Sequence, residues 1–381
     1  QGYADRPKEA AGFMGAINRG LDWLGREYGP ENPRGNAEWH YYYLYGVERA
    51  GRASGRKYFR NKDWFRSAAT FLLQHQTPQG NWPGAGSSMG ALRNTAFGVL
   101  VLCHSRAPLL FNKLEHGPDW DHRLRDVANL TRFAGHSFER LLNWQTVALD
   151  GSMEDLLEAP VLYIYGEAKR EFDEVQVQKL REYCRRGGLI FAVAGGPEFR
   201  AAVEELAARA FPETAPRSLP REHPLFSGAV QFPIDDPPPM LEVNSGVRTL
   251  LLLSTRDLAA TWNHYTARGA PAPELQLGAN VYLYATDKTT IRSRLQTPAI
   301  PLRPTEIERT IRMARLKYDG PWDVEPYGWT RLAAYMNNEA KTRLLVTSGV
   351  TLDSAELKSF SVAPLTGTGR FTLTPDELRG L

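Results

Sequence analysis

The residues with the reach for chemistry are few and scattered. The turn Ala194-Gly195-Gly196-Pro197 follows an apolar run and opens a helical stretch, the place where sheets of parallel strands keep a nucleophile or a phosphate cradle. It carries no reactive side chain. Either the backbone N–H groups of Gly195 and Gly196 hold an anion at a helix N-terminus, or the glycines only make a tight turn. Gly166 and Ala194, each closing an apolar run, complete this candidate binding edge. His223, in Glu222-His223-Pro224, could serve as an acid–base group with Glu222 or Asp235, or could be a turn element; His264 carries the same two readings. His116, Asp119, Asp121 and His122 have the chemistry to hold a metal. Gly117-Pro118 breaks the helix that would align them and no ligand spacing is met, so a solvated linker is read there. No metal and no other cofactor is expected.

The elements that must position these residues are those of an α/β sheet. From Ala159 to Phe199 the chain reads as strand, loop, helix, tight turn, strand and a glycine turn into another helix. Pro160 to Tyr165 and Leu189 to Val193 are continuous apolar runs, as in strands buried on both faces. Asp173 and Gln176 have capping-box spacing, and Val177, Leu180 and Cys184 share a helix face that ends at Gly187-Gly188. Pro197 suits the first turn of the next helix, with Phe199, Val203, Leu206, Ala207 and Ala210 facing inward. Alternating strands and helices predict right-handed crossovers and a three-layer sandwich. Upstream, residues 129–143 read as a helix, 144–149 as a strand and 152–157 as a short helix. Downstream, 216–244 reads as a proline-rich loop, and 247–253 and 280–285 as late strands.

Residues 1–118 read as all-helical. Phe13, Ile17, Leu21, Leu24 and Tyr28 recur at spacings of four, four, three and four, one stripe on a helix. Further helices are predicted over 38–50, from an Asn61 cap through Trp64, Ala68, Phe71 and Leu72, and over 89–104 with Leu92, Ala96, Val99, Leu100 and Cys103 inward. Residues 119–135 read as a linker, 136–300 as the α/β domain, and 301–381 as a second α/β module that is cut off. In this module 311–318 is strand-like, 329–337 helical, 343–347 a strand, 352–357 a short helix and 361–366 a strand. Pro160 to Gly166 aligns with Ser361 to Gly367, Phe172 with Phe371, and Leu180-Arg181 with Leu378-Arg379, an internal repeat. The helix start at Thr374 to Leu378 suggests a fragment of a longer protein.

Composition bounds the rest. The 381 residues include 42% hydrophobic and 23% charged, with a net charge of +3, as in an ordinary globular protein. The arginines form no basic stripe, so nucleic acid is not an expected partner. No run nears the ~18 apolar residues of a membrane span, and the N-terminus has no signal-peptide core, though one could have been removed. The two cysteines, Cys103 and Cys184, allow no disulfide framework and read as buried thiols.

Two resemblances are carried by motifs. Gln76-Thr77-Pro78-Gln79-Gly80-Asn81-Trp82 resembles the QW motif of the squalene–hopene cyclase and prenyltransferase α/α toroid superfamily. It implies a toroid-like fold in which the Gln ties a helix end and the Trp stacks on the next repeat. The acidic run of the cyclases and the zinc set of the protein prenyltransferases are absent, so the fold carries over and the activity does not. Arg315-Leu-Lys-Tyr-Asp-Gly-Pro-Trp322 with Trp329 to Met336, the strand-Gly-x3-Phe-x6-Leu-Arg arrangement, and Glu222-His223-Pro224-Leu225-Phe226 resemble the bacterial Domain of Unknown Function 4159 family. That family is similar to the class I glutamine amidotransferase-like fold, a flavodoxin-like three-layer sandwich. In active amidotransferases a Cys occupies the turn after the third strand; here Ala194 stands there, and Cys184 is a helix position.

The resemblance thus implies a multidomain chain: a toroid-like helical segment, a degenerate amidotransferase-like module, and the start of another. The expected function is non-catalytic binding or scaffolding toward a protein or saccharide partner. The alternatives are a hydrolase or transferase with chemistry relocated around His223, and an isoprenoid or lipid binder using Trp39, Tyr42, Tyr43, Trp64 and Trp82. A cell-envelope or periplasmic location is favoured over the cytoplasm.

Overall fold

The computed structural model describes residues 7–31, 37–83, 88–117, 120–266, 271–288, 292–296 and 299–380. The chain opens with helices α1 (Pro7–Glu27), α2 (His40–Ser54), α3 (Trp64–Gln74) and α4 (Ser88–Ser105). A short antiparallel ribbon, β1 (Tyr58–Phe59) and β2 (Lys62–Asp63), lies between α2 and α3. Asp63, not Asn61, caps α3: its carboxylate accepts the Arg66 N–H at 2.9 Å. Of Gln76 and Trp82 in the QW loop, only Trp82 reaches a helix; Gln76, expected to tie a helix end, bonds within the loop. Gln76 Nε2 donates to the Gly80 carbonyl at 2.9 Å, and the buried Trp82 donates its indole N–H to Leu72 O at 2.8 Å, at the end of α3.

One expectation in this segment is reversed. Met89, Leu92 and Val99 on α4 point outward and Cys103 is exposed, so only Cys184 is a buried thiol. Helix α4 is apolar nearly all round, so periodicity does not choose its inner face. The choice is made at Gly98, where the Trp82 ring lies within 3.0 Å of where a β-carbon would sit.

The central sheet has seven strands: β3 (Leu109–Glu115), β4 (Asn143–Ala148), β5 (Val161–Gly166), β6 (Leu189–Ala194), β7 (Arg217–Ser218), β8 (Met240–Asn244) and β9 (Thr249–Ser254). Their order is β4-β3-β5-β6-β9-β8-β7; the first five run parallel, and β8 and β7 close one side antiparallel. Side chains alternate between two cores. Tyr163, Tyr165, Phe191 and Val193 enter the layer formed by α5 (Asp126–Ser137) together with two later helices, 258–264 and 273–285. Leu162, Ile164, Ile190 and Ala192 enter the layer of α6 (Met153–Leu156), α7 (Glu174–Arg185) and α8 (Pro197–Ala210). The Asp173–Gln176 capping box opens α7, and Gly187, at φ 107°, ends it in the left-handed region that glycine takes without strain.

The sheet begins earlier than the sequence reading places it. Leu109–Glu115 lies in the stretch read as helical and is an inner strand between β4 and β5, and α5 occupies most of the stretch read as a linker. Two late assignments are also corrected. Residues 280–285 belong to a helix, Pro273–Ala285, whose residues from Leu277 to Tyr282 are all buried; an apolar run without a polar face cannot be told from a strand by pattern. Met240–Asn244, read as loop, is β8. The two helices of this half are α9 (Leu258–His264) and α10 (Pro273–Ala285).

A second, smaller parallel unit follows: β10 (Arg309–Lys317), α11 (Pro326–Ala340) and β11 (Thr342–Thr351), then a 3-10 turn at Ala355–Ser359 and α12 (Pro375–Gly380). Residues 361–366 form no strand; they bridge to β10 in parallel at Met313–Val362, with Ala314 N–H donating to Val362 O at 3.0 Å. Thus β10 lies between β11 and residues 361–364, as β3 lies between β4 and β5.

Candidate functional site

In an open parallel sheet, ligands approach the ends where the strand carboxyl termini emerge. Here that edge gathers Tyr165 at the end of β5 and Glu167 just past it, the Gly195-Gly196 turn after β6, Asp257 after β9, and Arg123 ahead of α5. Arg123 reaches Asp257 Oδ2 at 2.7 Å and Glu167 Oε1 at 3.3 Å. The Tyr165 hydroxyl donates to Glu167 Oε1 at 2.7 Å, and the guanidinium lies 5.7 Å from its ring centre. Burial disfavours charge on Arg123, but the hydrogen bond to Asp257 and the neighbouring Tyr165 and Glu167 outweigh it, holding the guanidinium above its ordinary value. Burial, and then the hydrogen bond to Glu167, raise the Tyr165 phenol, so it stays protonated. The arrangement has a cation, two carboxylates and a phenol, partly open to solvent, and no nucleophile. It is suited to holding polar groups.

Behind this edge lies a buried ion cluster. Lys113 in β3 is 2% exposed, and its ammonium donates to Asp121 Oδ1 at 2.6 Å, Arg123 O at 2.7 Å and Asp126 Oδ1 at 2.8 Å. Tyr163 donates to Asp126 Oδ2 at 3.0 Å. Burial raises the Asp126 carboxyl even though Lys113 opposes it. Lys113 thereby ties the segment that carries Arg123 down onto the sheet.

The residues singled out from the sequence fall as follows. Gly195 donates its N–H to Gly166 O at 2.8 Å, continuing the ladder of β5 and β6. A β-carbon on Gly195 would lie 2.4 Å from the Tyr165 hydroxyl, and one on Gly196 2.6 Å from Glu167 O, so the glycines allow this close approach. Ala194 is buried in the α6–α8 core. His116 Nε2 donates to Tyr165 O at 2.8 Å, with its ring 5.6 Å from that of Phe199; burial foremost lowers its pKa. Asp121 pairs with Lys113, His122 is exposed, and Asp119 lies outside the described residues. Among the described residues no group of three or more His, Cys, Asp or Glu side chains is placed to hold a metal ion.

His223 is not brought to this edge. Its ring packs 5.5 Å from that of Tyr284, whose hydroxyl lies 2.9 Å from Thr249 Oγ1, at the first residue of β9. Asp257 lies in the connection beyond Ser254, the last residue of the same strand. The six residues of β9 span roughly 20 Å, so His223 and the glycine turn sit at opposite ends of the sheet. Glu222 and Asp235 are exposed, as is His264 at the end of α9. Arg123, Tyr165, Glu167 and Asp257 were not singled out from sequence. A signal was present: each of the last three stands at or just past the end of an apolar strand run.

Residues 110–286 match the family model described as Domain of unknown function (DUF4159). The matched segment begins within β3 and ends one residue past α10, so it coincides with the seven-stranded unit. No curated protein matches the chain. No helix of the described residues is long and apolar enough to cross a membrane.

Proposed function

We propose that this protein is a non-catalytic binding or scaffold protein built from degenerate amidotransferase-like modules behind a toroid-like helical segment. The reading rests on the turn after β6. Where the amidotransferases hold a Cys, this chain has Ala194-Gly195-Gly196, with the Gly195 N–H already bonded and the space over the glycines taken by Tyr165 and Glu167. What remains at that edge is the charged set Arg123, Glu167 and Asp257, suited to a polar surface of a protein or saccharide partner.

The duplication of the module is supported by side chains in register. Lys113 lies 5.4 Å from the Trp120 ring and 2.6 Å from Asp121; Arg315 lies 5.4 Å from the Trp322 ring and 2.8 Å from Asp323. Three residues on, His116 packs on Phe172 at 6.3 Å and Tyr318 on Phe371 at 4.5 Å. Capping hydrogen bonds open the next helix in both units, Asp173 with Gln176 and Thr374 with Glu377.

The test is a screen of purified protein for hydrolysis and amide-nitrogen transfer over a broad substrate set. No turnover is expected. Turnover that disappears in His223→Ala would overturn the reading in favour of chemistry relocated to that histidine.

A second reading is kept by one observation. A groove of about 390 Å³ between α1 and α2 is lined by Trp23, Leu24, Tyr42, Tyr43 and Val47, which suits an isoprenoid or acyl chain. Displacement of a fluorescent fatty acid by farnesol, lost in Tyr43→Asp, would support it; absence of probe binding would remove it.

A further inference from the structure

We propose that the cleft between the β10–β11 unit and the seven-stranded sheet is a binding site for a zwitterionic ligand, a short peptide with free termini. The proposal rests on the reading of the protein as a binding module. The cleft has a volume of about 600 Å³ and is lined by Arg185, Arg248, Trp322, Asp323, Glu325 and Thr368, among others.

Its position follows from the repeated geometry. Arg315 stands in β10 where Lys113 stands in β3, each under a Trp seven residues on and paired with the next Asp. Glu325, ten residues after Arg315, therefore occupies the place of Arg123, ten residues after Lys113. Thr368, after Gly367, occupies the place of Glu167, after Gly166. Both lie in the cleft. The second unit thus turns its own strand-end loops, the equivalents of those forming the Arg123 edge, toward the first unit.

The walls carry opposite charge. Arg185 from α7 and Arg248 beside β9 form one, and Asp323 and Glu325 from the loop after β10 form the other. They meet as two ion pairs, Arg185–Asp323 at 2.7 Å and Arg248–Glu325 at 2.8 Å, and Asp323 is also held by Arg315 at 2.8 Å. All four side chains are between 27% and 34% exposed, so solutes reach them. Arg248 is further fixed on the carbonyls of Gly188 and Cys184.

This polarity selects the ligand class. At the Arg248–Glu325 pair, a plain anion would pair Arg248 but leave Glu325 without its partner; a plain cation would do the reverse. A ligand with a carboxylate at one end and an ammonium at the other replaces that one protein pair with two protein–ligand pairs, and no charge is stranded. Exposed pairs are weak enough to be exchanged in this way.

The experiment is calorimetric titration of the full chain with trialanine, N-acetyl-trialanine and trialanine amide. The free peptide is expected to bind in the micromolar-to-millimolar range, and either cap to weaken it by about tenfold or more. Arg248→Gln should remove the penalty for amidation while keeping that for acetylation; Glu325→Gln should do the opposite. Arg200→Gln, in a surface pair on α8, is the unchanged control. No binding of trialanine, or equal binding of free and capped peptides, overturns the proposal. So does loss of binding in Arg123→Gln with both cleft variants unaffected, which would assign the peptide to the other edge. These outcomes are separate from the turnover screen, so the scaffold reading and the cleft proposal can fail independently.

Discussion

Lys113 is a charged side chain in a strand otherwise made for burial. Its three acceptors come from the segment that follows the strand, so the lysine holds that segment in place as well as satisfying itself. Replacing one member of a buried pair leaves the other uncompensated. Lys113→Met should therefore lower stability by about 3–5 kcal/mol, measured by urea unfolding, because Asp126 is left buried without its cation. Lys113→Met combined with Asp126→Leu should recover part of the loss. At the same scale, His40, His116 and His223 all have imidazoles lowered in the folded state, burial being the main cause for each. An imidazole lowered by folding binds its proton more readily when unfolded. Its contribution is present above the ordinary value of 6.5 and lost as pH falls below it. The urea midpoint should fall between pH 7.5 and pH 5, and less steeply in His116→Phe. None of this chemistry is visible in the linear sequence: Lys113 appears there as one charge between Asn112 and Leu114, and its partners are set by how the following segment returns over the sheet.

At the scale of elements, the strand–turn–helix path through Gly166 and Gly196 is the most constrained. A β-carbon at Gly196 would meet the Glu167 carbonyl oxygen at 2.6 Å, and a backbone atom cannot swing aside as a side chain can. Gly196→Ala should lower stability by about 1–3 kcal/mol, read from the melting temperature and from faster amide exchange at the start of α8. These elements were legible because their signals agree: apolar runs of strand length, a capping box, a glycine stop and a proline start. Elements that escaped reading lack such punctuation. Strand β3 passes directly from Ala107-Pro108 into an apolar run that contains Asn112 and Lys113. Helix α10 is buried along most of its length and so shows no polar face. The Arg123 edge escaped for a different reason: its members come from four separate connections, and only the strand order brings them together.

At the scale of the molecule, a polar joint ties the helical segment to the sheet. Lys57 is 1% exposed and lies 2.8 Å from Asp63, 2.9 Å from Glu158 and 3.3 Å from Asp155. Arg294 joins it through Gln145 at 2.7 Å, with its guanidinium 5.0 Å from the Trp64 ring. Lys57→Met would leave three carboxylates facing one another across the joint. Thermal unfolding followed by calorimetry should then separate into two transitions, helical segment first; a single transition at an unchanged temperature would show that the joint does not couple the two parts.

The same joint contains a main-chain contact of a different kind. Residues just past α2 lie along the outer side of β4, with Arg56 bridged to Thr146 and the Thr146 N–H donating to Gly55 O at 2.7 Å. At the opposite side of the sheet the last strand, β7, is only two residues long. A sheet whose margins are either strapped or very short offers little template for another chain to pair with. The helical segment is therefore expected to shield the β4 edge from pairing with another copy. Residues 107–296 expressed without it would bare β4, and this form should accumulate as a thioflavin-binding aggregate where the full chain stays dispersed.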